Sequence, residues 1–336
     1  MTDSKSIAFW CERASADTKA SVEFHVNLWH FSHSKRQDFF EIGVMSDNPA
    51  TISMIRIFVP FPIGREDIRD LGPAFASTEL AQGIFNEILS STQKPNGKSV
   101  ELKNGTSTYC HVHVFSPNNG LIDSDELEVT EKDGGTMITV TAAALKSLSR
   151  QSSGAVDCGY FRLRIVPPVR DAHPFVTTIK PKDHVWTSGF EEIEYIDCRL
   201  NEARTIPTSV EAAAEAAPHG LAHASWIVFL AVVPVVSSIT SSHAGWHKSR
   251  LLENEIWEDY VPAGLDDGMV VYHWRKAFPE DGPSTLQGFS AFVKMQTRRT
   301  DYFVIGLYVV VALLLGIVGS LSAGLFQWWL TAAGGS

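Results

Sequence analysis

The stretch from Tyr302 to Leu325 constrains this chain more than any other. No charged residue occurs between Tyr302 and Ser336, and Tyr302–Leu325 is apolar almost throughout. Crossing the roughly 30 Å hydrocarbon core of a bilayer takes about 20 apolar residues at ~1.5 Å of rise each. Soluble helices seldom stay uncharged on every face for such a length. The run therefore predicts a transmembrane helix over residues 302–325, and the preceding chain reads as a module fixed to a lipid membrane by it.

Ala312, Gly316, Ser320 and Gly324 recur at intervals of four and stack small residues along one helical face. Such a face lets two backbones approach closely, which predicts a homo-oligomer. Arg298 and Arg299 precede the helix, no charge follows it, and Trp328 and Trp329 suit the far interface. By the positive-inside rule the arginines mark the cytoplasmic side of an inner or plasma membrane. The amino-terminal module is then expected in the cytoplasm, in keeping with Ile7–Trp10 being too short for the apolar core of a signal peptide.

With 28 Lys+Arg against 38 Asp+Glu the net charge is −10, which argues against nucleic acid as a partner. Cys11, Cys110, Cys158 and Cys198 are scattered and form no Cys-x-x-Cys pair, so in a reducing compartment they are expected as buried thiols.

Residues 6–206 read as a mainly β domain, an antiparallel β-sandwich or jelly roll with a few short helices. Ser21–Trp29 alternates polar and apolar, Phe39–Val44 is strand-like, and Ile52–Val59 is a strand closed by Pro60 and Pro62. Arg65–Leu89 takes a helical period broken at Gly72-Pro73, predicting two short helices. Asn96-Gly97 and Asn104-Gly105 bracket a strand at Ser99–Lys103 and lead into Thr106–Phe115, predicting a hairpin. Further strands are expected at Leu127–Thr130, Met137–Thr141, Tyr160–Val166, Pro174–Ile179 and Glu192–Leu200. Residues 207–220, rich in alanine and without an apolar face, read as a linker of partly helical character.

Residues 221–242 are ambiguous. The stretch lacks charge and scores as a candidate first transmembrane helix, while its β-branched run and Pro234 keep a re-entrant, interfacial or buried segment open. Two spans would leave the basic residues 248–299 and the amino-terminal domain on opposite sides, with no export signal for the latter. One span at Tyr302 satisfies both rules. Residues 243–301 then form a mixed juxtamembrane segment.

The chain carries no G-x-G-x-x-G, H-E-x-x-H or G-x-S-x-G sequence, and Thr92 stands where a phosphate loop ending Gly97-Lys98-Ser99 requires glycine. No catalytic residue and no cofactor is expected. His111 and His113 flank Val112 on a strand and share a face, the start of a metal site without an identifiable third ligand. His219 with His223, and His243 with His247, are spaced i, i+4 and bracket the ambiguous apolar stretch, as interfacial histidines would.

These features predict a membrane-anchored, non-enzymatic sensor or effector. Its β-rich domain binds an unspecified ligand or protein partner, and its apolar helix self-associates or perturbs the bilayer. The layout is similar to that of bacterial membrane effectors in immune-type systems, a comparison of architecture. The alternatives are an adaptor that tethers a complex to the membrane, and an enzyme whose site is assembled from distant residues.

Overall fold

Alternating and continuous apolar runs fix the architecture by deciding which strands have one face to bury and which have two. The computed structural model describes residues 6–32, 36–95, 97–149, 158–167, 175–179, 191–262, 264–265, 268–280, 285–298 and 302–333. In chain order the strands are β1 (Ser6–Arg13), β2 (Ser21–Trp29), β3 (Phe39–Ser46), β4 (Ile52–Val59), β5 (Ile68–Asp70), β6 (Ser90–Gln93), β7 (Ser99–Asn104), β8 (Ser107–His113), β9 (Pro117–Asn118) and β10 (Leu121–Ile122). They continue with β11 (Leu127–Lys132), β12 (Gly135–Val140), β13 (Gly159–Ile165), β14 (Val176–Ile179), β15 (Glu191–Leu200), β16 (His223–Pro234), β17 (Ser237–Ser242), β18 (Lys248–Leu251), β19 (Met269–Ala277) and β20 (Phe289–Arg298). The helices are α1 (Thr78–Phe85), α2 (Ala142–Ser149), α3 (Thr208–Glu215), α4 (Asn254–Trp257) and α5 (Tyr302–Ala333).

Among the described residues an eight-stranded sheet runs β11-β12-β4-β1-β15-β20-β17, with β14 beside β15, and a ten-stranded sheet runs β18-β19-β16-β2-β3-β13-β8-β7-β6, with β5 beside β13. Phe9, Ile57, Ile138, Ile196 and Val293 from the first sheet share one buried cluster with Phe24, Val26, Ile42, Leu163 and Phe229 from the second. The Phe9 and Phe24 rings, 3.8 Å apart, stand at its centre. The result is a mainly β, sandwich-like domain.

Both sheets are mixed, not antiparallel throughout. β1 lies parallel to β15, β2 parallel to β16, and β8 parallel to β13. Turn signals in a sequence report only neighbouring strands. These three pairs close over long connections that leave no local trace.

Contacts divide the chain into two compact units, Met1–Thr177 with Tyr195–Met295, and Thr178–Glu194 with Gln296–Ser336. In the first unit, residues 221–242 contribute strands β16 and β17. β16 sits inside the ten-stranded sheet between β2 and β19, with Ile227, Phe229, Ala231 and Val233 in the core and the half-buried Val228 and Leu230 on its other face, so both faces are apolar and the run scores like a membrane segment. Residues 207–220 carry α3, whose Val210 and Ala214 are buried with Ala8, Trp10, Phe58 and Met137. In place of the first helix expected in Arg65–Leu89 the chain makes a 3₁₀ turn and β5. Asp70 Oδ1 accepts the Gly72 amide at 2.8 Å and Asp70 Oδ2 the Phe115 amide at 2.9 Å, fixing a bend where Pro73 forbids helix continuation.

In the second unit Thr297 Oγ1 donates to Glu194 Oε2 at 3.0 Å, and Gln296 bonds Glu191. α5 follows, with Ile305–Thr331 apolar enough to cross a membrane and none of that stretch buried. At ~1.5 Å per residue its 27 residues extend about 40 Å, more than a bilayer core needs.

Candidate functional site: the outer face of the ten-stranded sheet

Residues opposite one another on neighbouring strands point to the same side of a sheet, so the register defines rows across it. One row runs Arg164, Glu41, Asn27, Leu230, His273, Lys248. The next runs Arg162, Gly43, His25, Val228, Arg275, and the row on the other side runs Phe39, Trp29, Val232, Val271, Arg250. The alternate residues of β2, Val22, Phe24, Val26 and Leu28, face the core between the sheets. This outer face is therefore polar along two of its rows.

One end of it is closed. Glu41 is fully buried and accepts both guanidinium groups: Arg162 donates to Oε2 from Nη2 at 2.6 Å and Nε at 3.0 Å, and Arg164 to Oε1 from Nη2 at 2.8 Å and Nε at 2.9 Å. Tyr260 Oη adds a third donor to Oε2 at 2.8 Å. Burial alone would raise the Glu41 carboxyl, but the two arginines outweigh it and hold it below the ordinary carboxylate range. Two guanidiniums against one carboxylate leave one excess positive charge. Arg164 meets it by stacking over the Phe39 and Tyr260 rings, at 4.4 and 4.7 Å from their centroids. Gly43 leaves the space in which Tyr160 lies, since a Cβ there would stand 2.1 Å from Tyr160 Oη.

Aromatic rings wall this end. Trp29, Trp257 and Tyr260 have ring centroids 5.4 to 6.1 Å apart. Asn27 Oδ1, Trp29 Nε1, Trp257 Nε1 and His273 Nε2 are buried polar atoms without a hydrogen-bond partner among the described residues. Buried polar groups are paired as a rule, and four atoms that are not lie around this one face.

The other end is open and cationic. The His247 and His273 rings are 5.6 Å apart at 83°, and the His247 amide donates to the His273 carbonyl at 2.7 Å. Arg275 lies over Trp226, 5.1 Å from the ring centroid. Loss of hydration, followed by His247, Arg275, His25 and Lys248, pushes His273 down to about 4. Glu23 is the acid here, 3.6 Å from His25 Nε2.

A second polar cluster gathers where β8 leaves its sheet. Ser116 donates its amide to Glu126 Oε2 at 2.7 Å and its hydroxyl to Oε1 at 2.9 Å, His113 Nε2 stands 3.6 Å from Oε2, and Lys98 bonds the Ser116 hydroxyl. Burial works to raise Glu126, but His113 and Ser116 outweigh it and hold it at about 2. A carboxylate so acidic is too weak a base to activate the serine, and the cluster reads as a brace for the loop. Nearby, burial pushes Asp70 up to about 7.

His111 and His113 are buried on β8, facing away from the Cys110 and Val112 cluster. Among the described residues no three His, Cys, Asp or Glu side chains are grouped to hold a metal ion. His219 lies in a turn and His223 opens β16, its Nδ1 3.4 Å from Gln287 Nε2. His243 follows β17, and His247 precedes β18. Neither histidine pair shares a helical face, because the surrounding segments are strands and turns. Ala312, Gly316, Ser320, Gly324, Trp328 and Trp329 are all exposed on α5. Arg298 ends β20, and Arg299 lies outside the described residues. The four cysteines form no disulfide, and burial raises all four thiols.

The chain matches no protein-family model and no curated protein. Among solved structures, the Fcho1 mu homology domain of Danio rerio with bound Eps15 peptide matches at 10% identity, over 90% of this chain and 82% of that chain, with a TM-score of 0.18. A score of that size adds nothing to the architecture given by the strand pairings.

Proposed function

We propose that this chain is a membrane-anchored, non-enzymatic sensor or effector whose β-rich domain binds a ligand or protein partner, with α5 holding it in the bilayer and self-associating there. The observation that carries the reading is α5 itself, whose apolar stretch Ile305–Thr331 is wholly unburied. Exposing so much apolar surface to water is unfavourable by roughly 25 cal/mol per Å², and lipid removes that cost. Binding is favoured over catalysis by the kind of groups on the outer face of the ten-stranded sheet. They are hydrogen-bonding atoms, aromatic rings and fixed cations, without a paired nucleophile and base.

In this reading the arginines before α5 and the tryptophans within its last turns put the β domain on the cytoplasmic side. The exposed stripe of Ala312, Gly316, Ser320 and Gly324 joins copies in the membrane. An immune-type membrane effector is the setting to test first.

The test is alkaline extraction of membranes from cells making the full chain, followed by cross-linking and a vesicle-leakage assay. The chain should resist extraction and cross-link to itself. Release by alkali would refute the anchor. A chain that stays monomeric and leaves vesicles intact with or without cell lysate would refute the effector reading. Replacing α5 by an unrelated spanning helix should abolish function in an effector and preserve it in an adaptor.

A further inference from the structure

We propose that the open end of the outer face, where β18 and β19 meet β16, binds an oxyanion of the phosphate class. Lys248, Arg275 and the imidazoles of His247 and His273 supply the donors. This deepens the reading of the β domain as a binding module and does not depend on the anchor.

Register places Lys248 directly opposite His273, and Leu230 and Val228 give the site an apolar floor between His273 and Arg275. Arg275 is held by its stack on Trp226, so its planar fork is pre-oriented. His247 is fixed by its backbone bond to His273 and presents its ring edge-on to the neighbouring imidazole. His273 Nε2 is buried without a hydrogen-bond partner among the described residues, and the charges that act on His273 come from His247, Arg275, His25 and Lys248, all cationic when protonated. Lys248 and Arg275 are fixed like charges that repel, the lowered imidazoles beside them are neutral donors, and Glu23, 3.6 Å from His25, is the acid of this end. An anion relieves that repulsion and pairs with the imidazole nitrogen at once. Donors from two neighbouring segments, His247 and Lys248 on one and His273 and Arg275 on β19, suit a tetrahedral phosphate, with acceptors in several directions, better than a planar carboxylate.

Two sources share this chemistry, a free phosphate compound and a phospholipid headgroup. The experiment titrates the full chain in detergent with inorganic phosphate, pyrophosphate and the water-soluble lipid headgroup glycerophosphoglycerol, by calorimetry at constant ionic strength set with chloride. Saturable binding is expected. It should weaken at least tenfold in the double variant Lys248→Glu/Arg275→Glu, and also in His273→Asn, while Lys103→Glu leaves it unchanged. Melting curves of each variant separate lost binding from lost folding, since Lys248 and Arg275 are exposed and both should remain folded. Tighter binding of phosphate or pyrophosphate assigns a free ligand, and tighter binding of the diester assigns a headgroup. Binding of none of the three, or binding undiminished in the folded double variant, overturns the proposal. Either result leaves the outcome of alkaline extraction untouched, so failure of the site and failure of the anchor are distinguishable.

Discussion

Tyr260 donates its hydroxyl to Glu41 across 2.8 Å and thereby ties the segment after α4 to a strand 219 positions earlier in the chain. The same carboxylate holds Arg162 and Arg164, so one side chain joins β3, β13 and the α4 segment. Glu41→Gln should leave two buried guanidiniums without a charged acceptor and cost about 3–5 kcal/mol, because removing one partner from a buried ion pair strands the other. Tyr260→Phe should cost about 1–3 kcal/mol. Urea unfolding of the full chain in detergent reads both, and a Glu41→Gln midpoint close to wild type would remove the network from any role in stability.

Gly43 offers a steric test of the same region. An added methyl group would meet Tyr160 Oη at 2.1 Å and Cζ at 2.8 Å. Gly43→Ala should therefore destabilise by about 1–3 kcal/mol, as overpacked sites do, and shift the melting temperature down. Unchanged melting would mean that Tyr160 has room to move.

Asp70 and His273 predict opposite dependence on pH. Burial raises Asp70 to about 7, so its stabilising contribution is full below the unfolded value near 3.8 and is lost as pH rises through 7. His273 is lowered to about 4, so its contribution is present above the unfolded value near 6.5 and is lost as pH falls toward 4. The two slopes partly cancel in the wild type. Asp70→Asn should expose a stability that rises with pH between 4 and 7, and His273→Asn one that falls. Parallel curves for both variants would contradict the assignment.

Leu314 and Leu315 lie near the middle of the apolar stretch of α5 and are exposed. Replacing both by arginine should cost about 2.5–3.5 kcal/mol per residue for insertion and move the chain from the membrane to the soluble or aggregated fraction. Retention in alkali-washed membranes would argue against a spanning α5.

How much of this was legible in the sequence depended on whether a signal was local. The alternation of Ser21–Trp29 reads correctly as a strand, and the apolar length of α5 is plain. β16 is not decidable from its own residues, since a strand apolar on both faces and a membrane segment share one composition. α3 reads as a partly helical linker because its buried face is made by Val210 and Ala214 together with Ile206 just before the helix, too small a face to stand out among alanines. The polar outer face was missed altogether. The alternation of β2 marks Glu23, His25 and Asn27 only as its polar side, and nothing local to Arg162 and Arg164 names their partner. A hint existed in the β13 sequence Tyr160-Phe-Arg-Leu-Arg-Ile, where two arginines alternate inside an apolar strand. Their partner Glu41 lies far away in the chain, and only the pairing of β3 with β13 brings it opposite Arg164.

The parallel pairings of β1 with β15 and β2 with β16 put the first strands of the chain in the interior of both sheets, next to strands made much later. During synthesis β1 and β2 must wait with open edges until those strands leave the ribosome. Distant pairings of this kind fold slowly and expose sticky intermediates. β20 ends at Arg298 and α5 begins at Tyr302, so the last strand and the apolar helix emerge almost together. In the anchored reading proposed above, completion of the fold and insertion of α5 are competing events on a shared clock, and a chain held back by a chaperone until release would gain most.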